Sequence, residues 1–89
     1  MSVQVLTSSP VAITGLSDST RYKFQYRGKH LAFIESATSA PSGTDSAFVM
    51  KPYGEPIEFT KTNGSEIYAS TEFRGNDEKP APSVVFGVA

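Results

Sequence analysis

Between Arg21 and Lys29 the chain reads Arg-Tyr-Lys-Phe-Gln-Tyr-Arg-Gly-Lys, and the chemistry alternates with every position. Arg21, Lys23, Gln25, Arg27 and Lys29 fall on odd positions, while Tyr22, Phe24 and Tyr26 fall on even ones. A strand sends successive side chains to opposite faces, so this segment carries one aromatic face and one basic face. A helix, with a period of about 3.6, would smear both sets around its axis. The chain must therefore place a strand here, with a layer against which the rings can be buried.

The remaining sequence repeats the theme in shorter pieces. Gly28-Lys29 can close a tight turn into His30-Leu31-Ala32-Phe33-Ile34-Glu35, which predicts a hairpin over about 21–35. Further strands are expected at Val3–Thr7, Val11–Thr14, Ala47–Lys51, Ile57–Lys61, Glu66–Thr71 and Ser83–Val88. Between them lie turn and loop signals at Ser8-Ser9-Pro10, Ser36–Ser46, Pro52–Pro56, Asn63-Gly64 and Gly75–Pro82. No window pairs a helical period with a cap. The reading is all-β: a small antiparallel sandwich or barrel of about eight short strands, without significant helix. Residues 1–89 form one domain, since chains divide only at several times that length. Its core is expected around Tyr22, Phe24, Tyr26, Phe33, Phe48, Phe59, Ile67 and Phe86.

Composition narrows the chemistry. With no cysteine, the chain has no disulfide, thiolate nucleophile or cysteine-ligated metal. His30 is the only histidine, too few for a zinc site, and no Gly-x-Ser-x-Gly elbow accompanies it. Glu55, Glu58, Glu66 and Glu72 could supply carboxylates, but a 9.6 kDa β domain has little depth for a glycosidase cleft. Asp77-Glu78 lacks the spaced oxygen ligands of a calcium loop, and no glycine-rich phosphate loop is present. The expectation is a protein that is not an enzyme, with no catalytic residue, metal or cofactor. The N-terminus has neither the basic region nor the apolar run of a signal peptide, and no stretch is long enough to span a bilayer. The starting Met suggests the beginning of a gene product, cytoplasmic unless it is built into a particle.

Charge supplies the sharpest hint of a partner. The chain has a net charge of −1, but residues 1–44 carry +2 and residues 45–89 carry −3. The basic face of Arg21, Lys23, Arg27 and Lys29 is the candidate interaction surface, with Tyr53 as a ring suited to a sugar plane. The simpler account of the alternation puts the rings in the core and the cations in solvent. The sharper account is contact with an acidic protein, a sugar polymer or a neighbouring copy, because opposite patches can join subunits head to tail. A nucleic-acid sheet would need rings and cations on one face, and the alternation separates them. Tyr68, between Ile67 and Ala69, is expected to pack inward.

Two resemblances follow from particular stretches. Ile13–Phe24, with Leu16 and Tyr22, resembles the leucine-turn-tyrosine corner of fibronectin type III domains. It comes early in this chain, and there is no tryptophan, so only the corner transfers: Leu16 and Tyr22 anchoring a strand entry. A longer pattern covers 20–27, Phe33–Ala37, a Pro/Gly loop, Asp45–Pro52, Ser65–Ser70 and Ser83–Val88. It resembles the small all-β structural proteins of tailed-bacteriophage virions. That resemblance implies a homotrimer that decorates or cements a capsid or sits at a tail-fibre junction, with a major capsid or tail protein as partner. Two further readings are a carbohydrate-binding or adhesin module, using Tyr53, Tyr68 and the loop at 36–46, and a nucleic-acid-binding β domain using the basic face.

Overall fold

Strands form where apolar and polar residues alternate, and each break falls on a proline, glycine or hydroxyl-rich stretch. The computed structural model describes residues 2–43, 47–72 and 82–89. In them the chain forms β1 (Ser2–Val5), β2 (Val11–Ala12), β3 (Thr20–Arg27), β4 (Ala32–Ala37), β5 (Phe48–Met50), β6 (Ile57–Lys61), β7 (Glu66–Thr71) and β8 (Ser83–Val88). No helix occurs among the described residues. Most of the loop expected at Gly75–Pro82, and residues 44–46 of the earlier loop, lie outside the described residues.

The strands make two four-stranded sheets. The first has the order β1-β8-β3-β6 and the second β2-β7-β4-β5, and every pairing is antiparallel. The pairs β1–β8, β2–β7, β3–β6 and β4–β5 describe one long antiparallel ribbon folded at its middle. Alternate rungs of that ribbon fall in opposite sheets, and β3–β8 and β4–β7 close them. This wrapping is the jelly roll, a way of stacking two β layers around one core.

The core lies between the sheets. Tyr22, Phe24, Tyr26, Val84 and Phe86 face inward from the first sheet; Ala32, Ile34, Met50, Ile67 and Ala69 meet them from the second. Leu6 and Ile13 close the ends. Phe24 stacks on Phe86 at 5.7 Å between centroids and meets Phe59 edge-on at 6.3 Å. These offset and edge-to-face contacts suit aromatic rings. The Tyr26 hydroxyl shares a hydrogen bond with Thr71 Oγ1 across the layers at 3.2 Å.

Four expectations need correcting. Arg21–Glu35 is not a hairpin, because β3 lies in the first sheet and β4 in the second. Each strand has an apolar face, and both are buried only if the strands face one another across the core. Gly28 lets the chain leave β3, since a Cβ there would run into the Tyr26 hydroxyl. Phe33 lies between the inward-facing Ala32 and Ile34, so it points outward from the second sheet and is half-buried. Phe48 is 60% exposed at the β5 edge, its ring packed edge-on against Phe59 at 5.8 Å rather than sealed in the core. Tyr68 also points outward, because its neighbours Ile67 and Ala69 fill the interior.

The expected corner is present. The Tyr22 hydroxyl accepts the Ser17 backbone N–H at 2.7 Å, and Leu16 packs against the core. Asn63-Gly64 turns as expected: Gly64 adopts φ 85°, and the Ser65 N–H donates to the Thr62 carbonyl at 3.2 Å.

Candidate interaction surface

The outward face of the first sheet is built by the odd positions of β3. Arg21, Lys23 and Arg27 are exposed there, and Gln25 is half-buried between them. Pairing with β6 sets Lys23 opposite Glu58 and Arg21 opposite Thr60. Arg21 reaches diagonally, its Nε donating to Glu58 Oε1 at 2.6 Å and its Nη1 to Thr60 Oγ1 at 3.4 Å. Arg21 is thus engaged within the sheet, while Lys23 and Arg27 carry the basic character of the face. Lys29 lies beyond the end of β3, exposed in the connection to β4, and the ladder does not set it on this face.

Tyr53 reaches the same face from another part of the chain. It follows Pro52 in a turn closed by the Gly54 N–H donating to the Lys51 carbonyl at 3.0 Å. Its φ of 55° is unusual for a bulky residue at that turn position, which favours glycine. Two contacts hold the turn against β3. The Tyr53 N–H donates to the Tyr26 carbonyl at 2.9 Å, and Gln25 Nε2 donates to the Gly54 carbonyl at 3.0 Å. The ring, 65% exposed, lies beneath the Arg27 guanidinium with 5.8 Å from its carbon to the ring centroid. Arg27 Nε and Nη2 also donate to Gln25 Oε1 at 3.3 and 3.2 Å, which fixes the guanidinium over the ring.

Across β8 the face becomes apolar. Val85 stands opposite Gln25 on one side and Val3 on the other, with Val5 further along β1. Val3 and Val5 are 63% and 56% exposed. A shallow hollow of about 160 Å³, lined by Lys23, Gln25, Arg27, Pro56 and Val85, joins the cationic and apolar parts. The face therefore runs from apolar at the β1 edge to cationic along β3. Period two alone places the cations on one face, but it does not single out the valines. Their alternation with Gln4 is visible in the sequence; which side of β1 faces out depends on the buried Leu6 and on the β8 register.

The second sheet presents a different outward face. Phe33, Glu35, Tyr68 and the buried Ser70 lie there beside Pro10, Pro41 and Gly43. An open groove continues along Glu35, Ala37 and the Ser39–Gly43 loop. His30 is exposed in the β3–β4 connection. Among the described residues, no group of three or more His, Cys, Asp and Glu is placed to hold a metal ion, and no helix is long and apolar enough to cross a membrane.

One ionisable group has a distinctive setting. Lys61 shares the inward parity of Ile57 and Phe59 at the end of β6, and only 7% of its side chain is exposed. Its Nζ donates to Asp18 Oδ1 at 2.7 Å and to the Thr62 carbonyl at 3.0 Å. The hydrogen bond to Asp18 holds the ammonium above the usual lysine range, with burial pulling the other way. Comparison with known proteins finds no matching family model, curated sequence or solved structure.

Proposed function

We propose that the chain is a non-enzymatic structural protein of a phage particle, a capsid decoration or cement protein that works as an oligomer against a major capsid or tail protein. One observation carries the reading. Of the six large hydrophobic side chains left exposed among the described residues, Val3, Val5, Phe48 and Val49 lie on edge strands and Val88 ends β8. Exposed apolar groups gathered at sheet edges suit assembly with other β layers, whereas an enzyme or small-ligand protein gathers them in a concavity. Jelly rolls also build virion proteins, which supports the reading by analogy of fold alone.

The test is particle composition. Mass spectrometry and immunogold microscopy of purified phage particles should find the protein on the shell in stoichiometric amounts. Its gene should adjoin portal, protease or capsid genes. Absence from particles, together with a monomer at every concentration, overturns the reading. A second reading rests on Phe33, Glu35 and Tyr68 beside the groove of the second sheet: rings and a carboxylate next to a hydroxyl-rich loop suit a sugar. Binding on a glycan array that disappears in Tyr68→Ala would move the assignment there.

A further inference from the structure

We infer that two copies of this chain join through β1, strand to strand and antiparallel, about a two-fold axis passing beside Gln4. The inference rests on the oligomeric reading above and names its surface. Among the described residues, two sheets of four strands leave four free edges, at β1, β6, β2 and β5. Free edges template unwanted pairing, and proteins blunt them with short strands, proline or charge. β2 is two residues long and follows Pro10; β5 is three residues long and ends at Lys51-Pro52. β6 carries the inward Lys61 and the outward Glu58. β1, Ser-Val-Gln-Val, is longer than β2 and β5 and carries neither proline nor charge.

The register states what β1 offers. The Leu6 N–H donates to the Pro82 carbonyl at 2.8 Å, so the even-numbered residues of this segment direct their backbone groups toward β8. The N–H and C=O groups of Val3 and Val5 then point to the free side. Pairing Val3 of one copy with Val5 of the other satisfies all of them, in about four hydrogen bonds, with Gln4 opposite Gln4 at the axis. A shift of the pairing by two residues would leave part of this set unused. Residues opposite one another share a face, so the exposed Val3 and Val5 of both copies meet in one apolar cluster flanked by each Val85.

Charge permits the contact. β1 has no charged side chain to oppose its own copy. The basic strand β3 is separated from the axis by β8 and β1, which puts the two basic stripes about 24 Å apart at ~4.8 Å per strand. That is well beyond a Debye length of about 8 Å in physiological salt. A joined sheet of eight strands results, continuous across the pair. The unit is a two-fold dimer in place of the trimer that the virion resemblance implies. A single short strand pair buries less than a standard interface, so the dimer is concentration-dependent in solution.

Val3→Pro tests the contact directly. It removes an N–H that points away from β8, so the chain's own ladder keeps its bonds, and proline is tolerated at such an edge position. Sedimentation equilibrium should show a reversible dimer for the unaltered protein and a dissociation constant raised at least about tenfold for Val3→Pro, which removes two of the intermolecular bonds. Val5→Lys keeps every backbone donor and should weaken the dimer likewise, which covers the case of a misfolded proline variant. The protein has no cysteine, so Gln4→Cys supplies a lone thiol. It should cross-link across the axis at a Cα separation of about 4.5 Å, whereas Val3→Cys, roughly 8 Å from its copy, should not. An oligomer that ignores all these changes overturns the β1 contact and leaves the oligomeric reading standing. A monomer at every concentration overturns both.

Discussion

At one edge of the first sheet, β6 turns Lys61 into the interior, ties it to Asp18 and answers Arg21 with Glu58 on its outer face. At the other edge, β1 shows only valines, a serine and a glutamine, with Val3 and Val5 exposed. Both edges belong to one layer and hang from one core, so the difference lies in local chemistry and not in architecture. A charge inside an edge strand would be stranded without water or its partner if another strand covered that edge. The contrast teaches that one side of the sheet is closed to neighbours by its own side chains, while the other remains a usable seam.

The strongest way to probe the contrast is to remove what both edges share. Phe24 lies on β3, paired to Ile57 of β6 on one side and Phe86 of β8 on the other, and it is fully buried. Phe24→Ala should cost about 3–5 kcal/mol through lost burial and the cavity left behind. A domain of 89 residues has a total stability on the order of 5–13 kcal/mol, so the loss takes a large part of it. Urea denaturation followed by tyrosine fluorescence would measure the shift. A loss under about 1 kcal/mol would mean that the two halves of the sheet are held separately rather than through this ring.

How much of this the residues announce in advance varies with range. β3 is legible because its alternation is strict, and β8 because Ser83–Val88 is rich in β-branched residues between a proline stretch and the chain end. Sheet membership is not legible. A short connection such as Gly28–Leu31 looks the same whether it folds back in one layer or crosses to the other. Parity is equally hidden in Leu31-Ala32-Phe33-Ile34, where every residue is apolar and only packing beneath Tyr26 and Phe24 selects Ala32 and Ile34 for the interior. At the interaction surface, the shared face of Arg21, Lys23 and Arg27 follows from period two alone. The approach of Tyr53 to Arg27 depends on a turn with φ 55°, and Lys61–Asp18 joins residues far apart in the chain. Neither leaves a local trace.

A middle-sized effect isolates the closed edge. Because Asp18 raises the Lys61 pKa above its ordinary 10.5, the folded state binds that proton more tightly than the unfolded chain does. The resulting stabilisation is fully present below about pH 10.5 and is lost as pH rises through the higher folded value. Melting temperatures of the unaltered protein and Lys61→Met, compared from about pH 9 to about pH 12, should change relative to each other in that window, the unaltered protein losing ground. Glu66 and Tyr22 also favour the ammonium, so the comparison reads the whole charged setting of Lys61. A constant gap across the window would show that the ammonium makes no net contribution and that β6 is guarded by its shape alone.

The smallest effect belongs to the outer face of the same edge. Arg21 and Glu58 approach to 2.6 Å, but their side chains are 57% and 45% exposed, so water and salt screen the pair and holding it costs rotamer freedom. Glu58→Gln should therefore change stability by less than about 1 kcal/mol, and denaturation midpoints should converge as ionic strength rises from low to about 1 M. Lys61 sits on the inner side of β6 with its side chain covered, so salt screens its pair less than the outer one, although its partner Asp18 is half-exposed. If Glu58→Gln instead produced a large, salt-insensitive loss, the outer pair would be what closes the β6 edge, and the exposed Lys23 beside it would then be the residue to alter next. With the small loss expected, the distinction between the two edges rests on the inward lysine, a device absent from β1, whose inward position is held by the half-buried, uncharged Gln4.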